Sequence, residues 1–217
     1  MLKGIIFDLD GLLIDSEPAW READFLLSHK YGFVITDEFR KQLFGKGLHE
    51  NSETFIKYYN LNETVERFTD ERLKLLHHIL FNKLELMPYA RQLIQKLKTN
   101  HYQLALATVG HNTNIANEIL TKLELDSYFS HISGALDVAR SKPFPDIYIE
   151  TARKMNIAPS ECIVLEDTVT GALAGKLAGM YVIGINKDSE TRKEFKPMKA
   201  DYIFPNLDIP LTVFEGI

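Results

Sequence analysis

KGIIFDLDG, residues 3–11, joins a short apolar run to two aspartates and a glycine. The run does not alternate apolar with polar residues, so it reads as a buried strand of a parallel sheet covered on both faces. Asp and Gly favour turns, so a loop should follow. Asp8 and Asp10 then stand at the carboxyl end of a strand, where open α/β sheets bind ligands. Similar runs occur at 103–108 (QLALAT), 162–166 (CIVLE) and 181–185 (YVIGI). Helical periodicity fills the gaps. Residues 89–98 carry Leu93, Ile94 and Leu97, and 113–123 carry Ile115, Ile119, Leu120 and Leu123. Residues 145–155 and 168–179 read likewise, the last stopping at Gly179. This order of strands and helices predicts an α/β fold with a doubly wound parallel sheet, Rossmann-like in character.

Residues 16–86 break the rhythm. They read as helices over 17–30, 37–44, 49–59 and 62–82, the last with Val65, Phe68, Leu75, Leu76 and Ile79 in an apolar stripe. The expected organisation is a catalytic core of residues 1–15 and 87–217, with an α-helical cap domain of residues 16–86 inserted through two linkers. The chain rejoins the core at Met87-Pro88. There is no internal repeat and no low-complexity segment.

The chain has 217 residues, 45% hydrophobic and 25% charged, enough for one large domain with a smaller one attached. A net charge of -5 argues against nucleic acid as a partner. The single cysteine, Cys162, rules out a disulfide within the chain and fits a reducing cytosol. It opens an apolar run and reads as a buried thiol. MLKGIIFDLDG is too short and too acidic for a signal peptide, and no run approaches membrane-spanning length. The expectation is a cytoplasmic protein with no membrane partner, in an oligomeric state the sequence leaves open, monomer included.

Four segments carry chemistry. Asp8 and Asp10, followed by Gly11, fit oxygen ligation of Mg²⁺; alone they read equally as an acidic turn. Thr108 ends the second predicted strand in LATVGHN. Its hydroxyl and the amides of Val109 and Gly110, with Asn112 beside them, suit phosphate oxygens; alone Thr108 is a turn residue. Lys142, in SKPFPDIY, sits beside Pro143 and Pro145, which fix the backbone and aim one ammonium; alone it is a solvated charge. Glu166 and Asp167 are adjacent carboxylates after a buried run, costly unless a cation is near. Asp167 reads alternatively as the N-cap of the next helix.

Taken in order, FDLDGLLIDSE, LATVG, SKPFPDIY and LEDTVTGALAGKLAGM resemble the four motifs of the haloacid-dehalogenase-like superfamily, over nearly the whole chain. The resemblance implies a Mg²⁺-dependent phosphatase acting on a small phosphate ester. Asp8 would be the phosphate-accepting nucleophile and Asp10 the general acid, then base. Thr108 and Lys142 would hold the phosphoryl group. Asp8, the Asp10 carbonyl and Asp167 would bind Mg²⁺, with Glu166 beside them. An aspartate at position 10 favours phosphotransfer over carbon–halogen cleavage.

Within the superfamily, GLLIDSEPAW and the Gly-rich loop FGKGLHEN resemble the helical-cap branch of β-phosphoglucomutases and sugar-phosphate phosphatases. Lys46 and His49 of that loop are the expected substrate contacts. Leu48 stands near where the mutases carry an arginine, and Trp20 near where they carry a histidine, so the phosphatase reading is preferred and a mutase is the alternative. The second linker, MPY, lacks the glycine common after this proline. A phospho-accepting switch without turnover is the third reading.

Overall fold

The computed structural model describes residues 2–43 and 46–216. Phe44 and Gly45, at the end of the helix expected over 37–44 and in the expected substrate loop, lie outside the described residues. Six strands form one parallel sheet: β1 (Gly4–Phe7), β2 (Gln103–Ala107), β3 (Phe129–Ser133), β4 (Cys162–Glu166), β5 (Tyr181–Ile185) and β6 (Tyr202–Phe204). Their order is β3-β2-β1-β4-β5-β6, the doubly wound arrangement with its switch point between β1 and β4.

Each inner strand feeds both faces. Ile5, Phe7, Leu104, Leu106, Ile163 and Leu165 enter one core cluster, while Ile6, Ala105, Ala107 and Val164 enter the other. The first cluster lies under α5 (Ala90–Thr99) and α6 (Thr113–Lys122), which contribute Leu93, Ile94, Leu97, Ile119 and Leu120. The second lies under α7 (Asp146–Met155) and α8 (Val169–Leu177). Cys162 is buried there, as the sequence suggests. Gly175 lets α8 approach β4 and β5: a β-carbon there would stand 2.8 Å from Val182 and 3.3 Å from Val164. Two short helices, α9 (Ser189–Glu194) and α10 (Thr212–Glu215), complete the sheet side.

Between β1 and α5 the chain forms α1 (Glu17–Tyr31), α2 (Asp37–Lys41), α3 (Leu48–Tyr59) and α4 (Val65–Asn82). Thr36 and Thr64 cap α2 and α4, accepting from the Phe39 and Arg67 amides at 3.1 and 3.2 Å. Leu27, Phe39, Phe55 and Phe68 make a separate apolar cluster here. The lower ends of α1 and α4, through Ala19, Ala23, Leu76, Ile79 and Leu80, join the cluster of the sheet. The two connecting segments run side by side: Met87 donates its amide to the Leu13 carbonyl at 2.8 Å, and Ile14 bridges Leu86. Tyr89, where the sequence lacks glycine, is left-handed at φ 68°, a conformation that costs an L residue about 1–2 kcal/mol.

Candidate active site

The carboxyl ends of β1, β2 and β4 bring the four sequence motifs to one place. Lys142 is its centre. The Lys142 side chain is buried and its Nζ donates to Asp8 Oδ1 at 2.6 Å and to Glu166 Oε1 at 2.5 Å. The Lys142–Pro143 peptide is cis. Glu166 is fully buried and spends both oxygens on protein. Oε1 also accepts from the Tyr148 hydroxyl, and Oε2 accepts from the Thr168 amide at 3.2 Å and the Thr168 hydroxyl at 2.9 Å. Glu166 is therefore an anchor for Lys142 more than a free ligand. Gly171 makes room for it, since a β-carbon there would lie 1.9 Å from Glu166 Oε1.

Thr168, not Asp167, caps α8, accepting from the Gly171 amide at 3.1 Å. The capping alternative for Asp167 is thereby overturned, because the next residue has a hydroxyl in the right place. Asp167 Oδ1 is buried with no hydrogen-bond partner. Its other oxygen crowds Gly11, which sits at φ 80° and whose β-carbon would lie 2.1 Å away. Asp8, Glu166 and Asp167 each bring a carboxylate oxygen within 4.8 Å of the others. An orphaned buried carboxylate oxygen beside Asp8, with Lys142 the one cation paired with the group among the described residues, is a donor set that fits a hard divalent cation.

The Asp10 side chain faces the other way. Its Oδ2 accepts from the Thr108 hydroxyl at 3.3 Å and its Oδ1 lies 3.1 Å from His111 Nε2. Its carboxylate thus stands outside the acidic cluster of Asp8, Glu166 and Asp167, although the sequence groups it with them. Gly110 lies against Asp10 Oδ2, and its amide donates to Thr108 Oγ1 at 3.2 Å. Asn112 caps α6, accepting from the Ile115 amide at 3.0 Å, and does not line the cavity.

Electrostatics separate the carboxylates. Burial pushes Asp8 up to about 8, helped by Glu166 and Asp10 and opposed by Lys142. Burial and the charges of Glu166 and Asp8 hold Asp167 well above the usual carboxylate range. Burial lowers the affinity of Lys142 for its proton, but Asp8 and Glu166 outweigh it and lift Lys142 well above its ordinary value. Asp10 goes the opposite way: burial raises it, yet His111, Ser16 and Thr108 bring it to about 2. In a site crowded with acids, Asp8 and Asp167 need a cation to ionise together, and Asp10 does not.

Above these groups lies a cavity of about 960 Å³, walled on one side by the β-strand loops and on the other by α1, α3 and α4. Asp8, Asp10, Thr108, Val109, Gly110, Lys142 and Asp167 line its floor. Lys46 lines it too, though its Nζ donates to Thr54 Oγ1 at 3.0 Å. His49 is exposed and faces a smaller cavity of about 220 Å³ beside Val109 and Ser141. Sequence reasoning missed three residues here. His111 is wholly buried, with Trp20 tilted above it at 6.1 Å; its place just beyond the second motif was the available signal. Arg72 and Asp24 form a buried pair from α4 and α1, and nothing in the periodicity of either helix announces it.

Comparison with known proteins shows the family and the fold. The model of the haloacid dehalogenase-like hydrolase family matches residues 5–185. A bifunctional riboflavin kinase/FMN phosphatase of Arabidopsis thaliana is 33% identical over 183 residues, 83% of this chain; the chain spans only 48% of that relative's length. A phosphorylated carbohydrates phosphatase of Thermotoga maritima is 28% identical over 82% of each chain. Among solved structures, β-phosphoglucomutase of Clostridium difficile superposes with a TM-score of 0.85 at 24% identity, covering 100% of this chain and 96% of that one. No described helix is long and apolar enough to cross a membrane.

Proposed function

We propose that this chain, which belongs to the haloacid dehalogenase-like hydrolase family, is a Mg²⁺-dependent phosphatase of a small sugar or polyol phosphate. The observation that carries the reading is Lys142, fixed between Asp8 and Glu166 on the floor of a ligand-sized cavity. The name of the Thermotoga relative supports phosphorylated carbohydrate as the substrate class.

Asp8 attacks phosphorus and takes the phosphoryl group, which splits hydrolysis into two easier displacements. Lys142 and the Thr108 hydroxyl hold the equatorial oxygens as charge spreads over them. Asp10 protonates the leaving oxygen, then accepts a proton from the water that attacks phosphorus and frees Asp8. The low value of Asp10, about 2, keeps it ionised, the form that accepts the proton of the attacking water. An arriving phosphate dianion raises its proton affinity by like-charge repulsion, which prepares it as the acid. Such proton transfer contributes about 10²–10⁴-fold. Asp8, the Asp10 carbonyl and Asp167 would hold Mg²⁺, which when bound would supply positive charge against the phosphate facing the nucleophile. Residues 16–86 act as the cap that closes the cavity from above.

The test is turnover of p-nitrophenyl phosphate and of sugar phosphates with Mg²⁺. Many turnovers releasing inorganic phosphate are expected. An isomerised sugar phosphate without free phosphate would mean a mutase, and labelling that stops at one phosphate per chain would mean a switch.

A further inference from the structure

His111 stands behind Asp10. It is wholly buried and does not line the cavity, whereas Asp10 lines it with a side chain 23% exposed. His111 Nε2 lies 3.1 Å from Asp10 Oδ1. An ionised carboxylate only accepts, so this ring nitrogen donates. Nδ1 has no hydrogen-bond partner, so among the described residues Asp10 is the one group the imidazole bonds. As packing alone the ring is a poor choice. An apolar ring of similar shape would fill the space and leave no buried nitrogen unpaired.

The surroundings fix the ring and the carboxylate together. The His111 carbonyl accepts from the Ala135 amide at 2.8 Å, which ties the loop after β2 to the segment after β3. Trp20 of α1 lies over the ring, with centroids 6.1 Å apart at 33°. Thr108 Oγ1 donates to the second carboxylate oxygen, Asp10 Oδ2, at 3.3 Å. Gly110 leaves the space that Oδ2 occupies, since a β-carbon there would lie 2.6 Å from it. One donor on each oxygen sets the rotation of the carboxylate. That setting is needed because Lys142, paired with Asp8 and Glu166, attracts any carboxylate nearby, as a cation bound among the acids would. A group that transfers protons has to stand within hydrogen-bond reach of the leaving oxygen instead.

We infer that His111 is a positioning residue, which with Thr108 holds the Asp10 carboxylate away from Asp8 and Asp167 and open to the cavity. The inference rests on the phosphatase reading for what Asp10 does, and adds what keeps Asp10 placed to do it.

The experiment uses two aryl esters of nearly one shape, phenyl phosphate and p-nitrophenyl phosphate, on the full chain with Mg²⁺. p-Nitrophenolate leaves readily without a proton and phenolate does not, so the pair reads proton donation with little else changed. His111→Phe keeps a ring under Trp20 and removes the donor. His111→Gln returns an amide donor at similar reach. In His111→Phe, kcat/KM on phenyl phosphate should fall about tenfold or more, while kcat/KM on p-nitrophenyl phosphate holds. Its kcat on p-nitrophenyl phosphate should fall behind a burst of about one p-nitrophenol per chain, because the water step then lacks a placed base. His111→Gln should recover most of both losses. Damaged packing would lower kcat/KM on both esters alike, so equal losses, or no loss on either, overturn the inference. A crystal structure of His111→Phe reads the orientation without turnover. Asp10 Oδ2 should have left hydrogen-bond distance of Thr108 Oγ1, and an unmoved carboxylate refutes positioning by His111. If the wild type turns over neither ester, the phosphatase reading falls, and this distance alone decides whether His111 positions Asp10.

Discussion

Gly171→Ala, a change that ordinarily strengthens a helix, should damage this protein. The residue lies in the first turn of α8, where Ala is favoured over Gly by about 1 kcal/mol. The added β-carbon would fall 1.9 Å from Glu166 Oε1 and 2.3 Å from Oε2, so the carboxylate has to move. It cannot move freely. Glu166 is fully buried and accepts from Lys142, Tyr148 and both the amide and hydroxyl of Thr168. Uncoupling a buried ion pair costs about 3–5 kcal/mol. Set against the helix gain, the net loss is about 2–4 kcal/mol, or about 5–15 °C in Tm for a chain of this size. Lys142 loses its second anchor in the same step, so turnover of p-nitrophenyl phosphate should fall at least about tenfold. Circular-dichroism melts and steady-state kinetics on the purified variant measure both. A Tm equal to or above wild type with unchanged kcat would refute the claim that Glu166 holds Lys142.

Asp8→Asn should abolish turnover yet raise the metal-free Tm at pH 8, because it removes a charge that burial disfavours; a variant retaining a tenth of wild-type activity would rule out Asp8 as nucleophile. Stability without metal should fall as pH rises. Asp8 at about 8 and Asp167 well above the ordinary range bind protons more tightly folded than unfolded, so their contribution is complete below about 4 and is lost through about 8. Mg²⁺ at about 100 times its Kd should then return about 2.7 kcal/mol, or about 5–10 °C, at pH 8 and less at pH 5; a metal-free Tm that climbs over this range contradicts the assignment. His111→Leu should lower kcat about tenfold or more while Asp8 still becomes phosphorylated, and an unchanged kcat would make His111 a packing residue only.

The inner strands were legible because burial on both faces leaves an unbroken apolar run, as in KGIIF and CIVL. The edge strands were not. β3 is FSHIS and β6 is three residues of YIF, half-covered and too short or too polar to stand out from loop. Helix ends moved by a few residues where a cap decided them: the helix expected from 62 starts at Val65 because Thr64 caps it. Asp8, Thr108 and Lys142 were readable because each stands at a strand end or beside prolines. The partner that holds Lys142 in place was only half readable. Glu166 was visible as a carboxylate, but its bonds to Tyr148 and Thr168 come from tertiary packing that no local pattern encodes. The same holds for Arg72 and Asp24, whose meeting across α1 and α4 depends on how two helices pack.

Register turns these separated motifs into one site. Phe7 pairs with Leu106 on one side and Leu165 on the other, so β1, β2 and β4 stand level across the sheet. One step beyond Phe7 is Asp8 and one step beyond Leu165 is Glu166, with Lys142 bonded to both. Two steps beyond Leu106 is Thr108, bonded to Asp10, which lies two steps beyond Asp8. Side chains alternate along a strand, so Asp8 and Glu166 share the face of Ile6 and Val164, over α7 and α8, from which Tyr148 and Thr168 reach them. A slip of β4 by one residue would turn Glu166 to the opposite face, into the apolar cluster of Ile163 and Leu165 and away from Tyr148 and Thr168. Residues 163–165 are apolar on both faces and would tolerate that slip, so the bonds of Glu166 to Lys142, Tyr148 and Thr168 hold the register. The polar bonds of Glu166 therefore fix which acid meets Lys142, and fold register and the geometry of the site answer to the same residue.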